Sequence, residues 1–187
     1  EESTLVLFGA RGNLSRVKLI PGLFHLDDSG KLPEKMKILS VGRQSISPEE
    51  WKIEIKDMLE KKFKKGYSKV TYDRFIKRNL YHANLPDDLK AFEKFADRLN
   101  DKNTFTSNLS FFLSVRPSDF ADIVDKLAKV GLLNEKNGWR RVLIEKPFGT
   151  NLDSAKTLQS SISKHLKENQ IYRIDHYLGK SAVQNIL

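Results

Sequence analysis

The apolar run Thr4-Leu5-Val6-Leu7-Phe8 ends at Gly9, and Gly9-Ala10-Arg11-Gly12-Asn13-Leu14 leads directly into a helical pattern. A short run with no alternating polar face reads as a strand buried on both sides, which a sheet covered by helices on both faces provides. Asn13 is predicted to cap the following helix, whose apolar positions are Leu19, Ile20, Leu23, Phe24 and Leu26. Pro21 lies inside that helix and predicts a kink or a split, because proline has no N–H to donate.

The same unit recurs along the chain. Lys37 to Val41 is a second strand, and Pro48 opens an amphipathic helix to about Lys65 with Trp51, Ile55, Met58, Leu59 and Phe63 on one side. Helices are predicted from Asp73 to Arg78 and from Pro86 to Leu99, flanking a weaker extended piece at Leu80-Tyr81-His82. Leu109 to Val115 is a strand ended by Pro117, and Ser118 should cap a helix through about Val130. A strand at Arg141 to Ile144 and a helix from Leu152 to Leu166 follow, and beyond Ile171 the alternation lapses. The pattern predicts an α/β fold: a doubly wound, mainly parallel sheet with helices on both faces, as one domain over residues 1–187.

Composition narrows the function classes. Cysteine is absent, which excludes disulfides, thiolate nucleophiles and Cys-ligated zinc, and suits a reducing compartment such as the cytoplasm. No metal site is expected, and no apolar run approaches the roughly 20 residues of a membrane-spanning helix. Lys and Arg number 33 against 24 Asp and Glu, a net charge of +9 that attracts anions. The densest cluster, Lys61-Lys62-Phe63-Lys64-Lys65, reads as the last turn of a helix, where cations complement the dipole. No aromatic-plus-basic motif accompanies it, so nucleic acid is not an expected partner. Phosphorylated small molecules fit better.

Three segments carry chemistry. In the turn from Gly9 to Asn13, glycines let backbone approach a pyrophosphate, whose charge the free N–H groups of a helix N-terminus would meet. Ala10 stands where the common dinucleotide fingerprint has its middle glycine, and a tight strand-to-helix turn needs glycine whether or not anything binds. After the second strand the sequence reads Val41-Gly42-Arg43-Gln44, with arginine where an NAD-preferring fold carries an acid, so a 2′-phosphate and hence NADP is favoured. Arg11 could reach the same phosphate. Lys146, in Ile144-Glu145-Lys146-Pro147-Phe148-Gly149, follows a buried strand at the end where ligands sit, held extended by Pro147. In Tyr172 to Lys180 the donors Arg173, His176, Tyr177 and Lys180 suit a phosphate, and Asp175 could orient a histidine base.

Through the glycine turn, Lys18-Leu19-Ile20-Pro21, Phe112-Leu113, Glu145 to Gly149 and Ile171 to Lys180, the chain resembles the N-terminal coenzyme domain of the glucose-6-phosphate dehydrogenase family over essentially its whole length. The last two motifs, in this order and at this separation, are very specific. The resemblance implies a Rossmann-like fold, NADP as coenzyme and glucose 6-phosphate as substrate in the pentose phosphate route. It implies that Gly9, Ala10, Arg11, Gly12, Asn13, Leu14 and Ser15 hold the pyrophosphate, with Arg43 on the 2′-phosphate and Phe112 packing near the nicotinamide. Lys146 would contact substrate and coenzyme near the reacting carbon. His176, Tyr177 and Lys180 would bind the sugar phosphate, Asp175 would pair with the catalytic histidine, and Lys18 would help order the site.

Three departures from the family pattern leave the required groups in place. Arg11 replaces a small hydroxyl residue, Asn13 an aspartate, and Ser181 a glutamate. The catalytic base of the family is a histidine of a second domain that also makes the dimer. None of His25, His82, His165 and His176 matches it, so the 187 residues read as a coenzyme half expected to be nearly inert alone, with homo-oligomerisation through the other half. A stand-alone NADP-binding or regulatory module is the alternative, against which Lys146, Asp175, His176 and Lys180 argue.

Overall fold

The strands are Thr4–Phe8 (β1), Lys37–Gly42 (β2), Asn79–Ala83 (β3), Leu109–Leu113 (β4), Arg140–Glu145 (β5) and Ile171–Ile174 (β6), in a computed structural model that describes residues 2–84, 88–146, 148–149 and 151–174. They form one parallel sheet in the order β3-β2-β1-β4-β5-β6. The chain builds outward from β1 to β3, returns to the centre at β4, and builds outward again. Its direction of winding therefore reverses between β1 and β4, the position where ligands bind in open α/β sheets.

Among the described residues six α-helices cover the two faces: Ile20–Asp28 (α1), Pro48–Lys62 (α2), Lys69–Arg78 (α3), Leu89–Leu99 (α4), Pro117–Lys129 (α5) and Leu152–Ser163 (α6). Alternate strand residues enter two separate cores. Val6, Phe8, Phe111, Leu113, Val142 and Ile144 pack with residues of α4, α5 and α6, whereas Leu5, Leu7, Phe112 and Leu143 pack with residues of α1, α2 and α3. This double coverage is why β1 and β4 are buried at every position. Among the described residues no helix is long and apolar enough to cross a membrane.

Local chemistry sets the helix ends. Ser47 and Glu50 form a reciprocal capping box at α2, with Pro48 in the first turn. α2 ends at Lys62, so the lysine cluster does lie at a helix C-terminus. Pro21 acts as expected: the regular helix is interrupted just before it, with Ser15–Leu19 wound as a π-helical turn across which Ile20 N donates to Ser15 O, and α1 continues from there.

Four expectations are corrected. Ser118 does not cap α5; Pro117, whose fixed φ suits a first helical position, starts the helix behind Arg116, and the Ser118 hydroxyl donates to Asp119 instead. β4 stops at Leu113, two residues short of Val115, and α6 stops at Ser163, which leaves His165 in the following turn with Nε2 3.2 Å from Asp125. The lapse after Ile171 hides a strand, β6, whose four residues are too few to show a period. The weaker extended piece at Leu80-Tyr81-His82 is borne out as the edge strand β3.

On β3, His82 turns toward α4, its ring 5.1 Å from that of Phe95, and Arg98 Nη1 lies 3.0 Å from His82 Nδ1. Arg98 also donates to the Tyr81 carbonyl. Burial first, and the Arg98 charge second, lower the His82 pKa from 6.5 to about 4. The neutral ring's contribution to stability is therefore complete above about pH 6.5 and is lost as the pH falls toward 4. Chemical denaturation at pH 7 and pH 5 should show His82→Gln losing about 2 kcal/mol less stability between the two values than the parent chain. Equal losses would contradict this assignment.

Candidate functional site

At the C-terminal edge of the sheet, β1 and β4 stay paired one step beyond their ends, with Ser114 N donating to the Phe8 carbonyl at 3.1 Å. Gly9 follows with φ of +75°, and a Cβ there would overlap the carbonyl oxygen of Ser114. Only glycine satisfies both demands. The chain turns with Gly12 N donating to Gly9 O at 2.9 Å, and Gly12 O then accepts from Arg16 N at 3.0 Å. That bond makes Gly12 the capping residue and corrects the expectation for Asn13, whose own backbone is already helical. The side chain of Ser15 is buried and its hydroxyl donates to Ser114 Oγ, while Ala10 N donates to the Val41 carbonyl. The glycine at position 9 is thus required by packing alone. The first-turn N–H groups beyond it still lack intrahelical acceptors.

Above this turn lies a cleft of about 520 Å³, lined from the ends of β1, β2 and β4, from Asn84 after β3, and by apolar residues of α4 and α5. Four guanidinium groups line it, and they are not equally engaged. Arg11 donates from Nε and Nη2 to the two oxygens of Glu54, at 3.0 and 2.7 Å, and from Nη1 to Gln44. The hydrogen bonding of Glu54 raises the Arg11 pKa further. Arg16 shares Glu54 and adds Asp57. Arg43 and Arg116, 62% and 74% exposed, share the single carboxylate of Asp119 at 3.7 and 3.5 Å, beyond good hydrogen-bond length. Those two are the cations an incoming anion can recruit.

The loop that carries Arg43 is fixed from below. Tyr81 donates its hydroxyl to Gln44 O at 2.8 Å, its ring packs 5.0 Å from that of Trp51, and a Cβ at Gly42 would overlap the hydroxyl. Burial raises the Tyr81 pKa, so the hydroxyl keeps the proton it donates.

The structure gathers Gly9, Arg11, Gly12 and Arg43 around the cleft. Asn13 and Leu14 stand in the first helical turn beside it, and Ala10 and Ser15 lie buried beneath. Lys18 is exposed in the π-helical turn. Phe112 is held elsewhere: it is buried in register with Leu7 and Leu143, in the core under α1 and α2, and is not a lining residue of the cleft. Lys146 is the first residue past β5, its N–H donating to the Ile174 carbonyl at 3.1 Å. Asp175, His176, Tyr177 and Lys180 lie outside the described residues.

A family model described as "Glucose-6-phosphate dehydrogenase, NAD binding domain" matches residues 6–185. The chain belongs to the glucose-6-phosphate dehydrogenase family. It is 40% identical over 187 residues to the glucose-6-phosphate 1-dehydrogenase of Treponema pallidum and 39% over 190 residues to that of Chlamydia pneumoniae, in each case across 98% of this chain. It spans 36% and 37% of those relatives' lengths. A solved glucose-6-phosphate dehydrogenase in complex with its substrate glucose-6-phosphate superposes with a TM-score of 0.84 at 33% identity, covering all of this chain and 39% of that one. The enzyme from Mycobacterium avium gives the same score at 30% identity, over 97% and 37%.

Within this family fold, sequence reasoning passed over Arg16, Asn84, Arg116 and Asp119. Asn84 and Arg116 each stand just past the C-terminal end of a strand, the same signal that singled out Arg43 and Lys146.

Two glycine substitutions separate packing demand from mere presence. Gly9→Ala should destabilise the chain by at least about 2 kcal/mol, from positive φ and the collision with Ser114. Gly22→Ala, in α1 with nothing within 4 Å of the added methyl, should stabilise it by about 0.5–1 kcal/mol. Thermal melts of the two variants against the parent measure both signs.

Proposed function

We propose that the chain is the coenzyme-binding part of an NADP-dependent glucose-6-phosphate dehydrogenase, an oxidoreductase that takes hydride from C1 of glucose 6-phosphate. The observation that carries the reading is Arg43: β2 ends without an acid, and this guanidinium stands exposed on the cleft, loosely held. The cleft volume falls in the usual range for small-molecule sites. First-turn N–H groups after Gly12 suit a pyrophosphate, and Arg43 and Arg116 suit a ribose 2′-phosphate. The nicotinamide ring of bound coenzyme supplies the hydride acceptor.

Lys146 fits a role at the same edge. Phe8, Leu113 and Ile144 lie in one row across β1, β4 and β5. Lys146 therefore stands two strand spacings, about 10 Å, to the side of the turn and two residues further along. That is within the roughly 20 Å reach of an extended dinucleotide. We assign Lys146 to substrate and coenzyme near the reacting carbon, with His176, Tyr177 and Lys180 on the sugar phosphate, Asp175 orienting the catalytic histidine, and Lys18 ordering the site. The proton acceptor for the C1 hydroxyl, and the surface for homo-oligomerisation, we place outside these 187 residues. Without a placed base the chain alone should turn over slowly, since general-base catalysis is worth about 10²- to 10⁴-fold. A cysteine-free chain suits the reducing cytoplasm, where we locate it.

Calorimetry in phosphate-free buffer tests the coenzyme. NADP should bind more tightly than NAD, and Arg43→Ala should weaken NADP by about 1.5–3 kcal/mol while leaving NAD nearly unchanged. Equal affinity of the parent chain for the two coenzymes would overturn the assignment.

A further inference from the structure

We infer that Asn84 reads the adenine ring of the coenzyme, an inference that rests on the reading of the cleft given above. Asn84 is the first residue after β3, and its N–H donates to the Gly42 carbonyl at 2.8 Å, which extends the β2–β3 ladder by one step. The backbone position is therefore fixed. Its side chain lines the cleft yet is only 5% exposed, and Oδ1 is buried with no hydrogen-bond partner.

Three other buried polar atoms among the described residues share that condition: Asp27 Oδ2, Arg78 Nε and Asn79 Nδ2. Each belongs to a side chain engaged through its other atoms. Asp27 Oδ1 accepts from Arg74, Arg78 donates to the carbonyls of Pro33 and Glu34, and Asn79 Oδ1 accepts from Trp51 and Ser40. Asn84 alone of the four lines the cleft. A buried carbonyl oxygen without a donor is costly, so a ligand that brings one is favoured.

The neighbourhood identifies that ligand. Phe8, Phe92 and Ile123, all buried, line the same cleft and suit the faces of a flat ring. The β1–β3 half of this architecture takes the adenosine end of a dinucleotide, and Arg43 at the end of β2 places the ribose phosphate beside it. The base reaching Asn84 is then adenine. Its N6 amino group donates to Oδ1 while N7 accepts from Nδ2, the paired geometry by which a carboxamide distinguishes adenine.

The test compares the affinity of the 187-residue chain for NADP with that for its hypoxanthine analogue, in which oxygen replaces the 6-amino group. The parent should prefer NADP by about tenfold or more. Asn84→Leu should erase the preference by weakening NADP alone. Asn84→Asp, which keeps the acceptor, should retain it, and serves if the leucine variant fails to fold. Equal binding of the two dinucleotides by the parent, as when a water satisfies Oδ1, overturns the role of Asn84 and leaves the cleft assignment standing. Failure of the parent to bind either dinucleotide overturns both.

Discussion

The carbonyl oxygen of Ser114 occupies the space that any side chain at position 9 would need. This contact joins the two halves of the molecule where the winding reverses, between β1 and β4. With glycine there the chain can leave β1 at positive φ, close onto itself through Gly12, and enter its helix one residue later. Every feature of the cleft is placed relative to that turn. Arg11 and Arg16 project from it, Arg43 stands one strand away, just past the end of β2, and Arg116 lies three residues past the end of β4.

The charges around the turn are sorted by two carboxylates on different helices. Glu54 of α2 holds Arg11 and Arg16 in a part-buried network and so fixes one wall of the cleft. Asp119 of α5 meets Arg43 and Arg116 at longer range, leaving both side chains largely in water. A cation tightly paired at rest must break that pairing to take a ligand, whereas a loosely paired one gives up little. Arg43 therefore carries more of the proposed phosphate recognition than Arg11, although the sequence presents the two as equivalent.

Five of the six strands among the described residues were legible as apolar or extended runs: burial on both faces removes the polar alternation from β1 and β4, whereas the partly buried edge strand β3 gave the weaker signal. β6 was missed because its four residues carry an exposed Arg173 between buried Ile171 and Ile174. Helix starts were read from side-chain type, and this failed where backbone chemistry ruled: Gly12 caps through its carbonyl, and Pro117 preempts Ser118. The glycine turn and Arg43 were visible at the site. Asn84 and Arg116 were not, since neither belongs to a motif and only the alignment of strand ends brings them together. Phe112 was singled out by a likeness between sequences, and the pleat directs its side chain into the core beneath α1 and α2.

We place the coenzyme at the C-terminal edge of the sheet, at the β1–β4 reversal. Amide chemical-shift mapping during an NADP titration tests this placement most directly. The largest shifts should fall on Gly9, Gly12, Gly42, Asn84 and Ser114. Shifts concentrated instead at the opposite edge, around Arg140 and Gln170, would contradict the account.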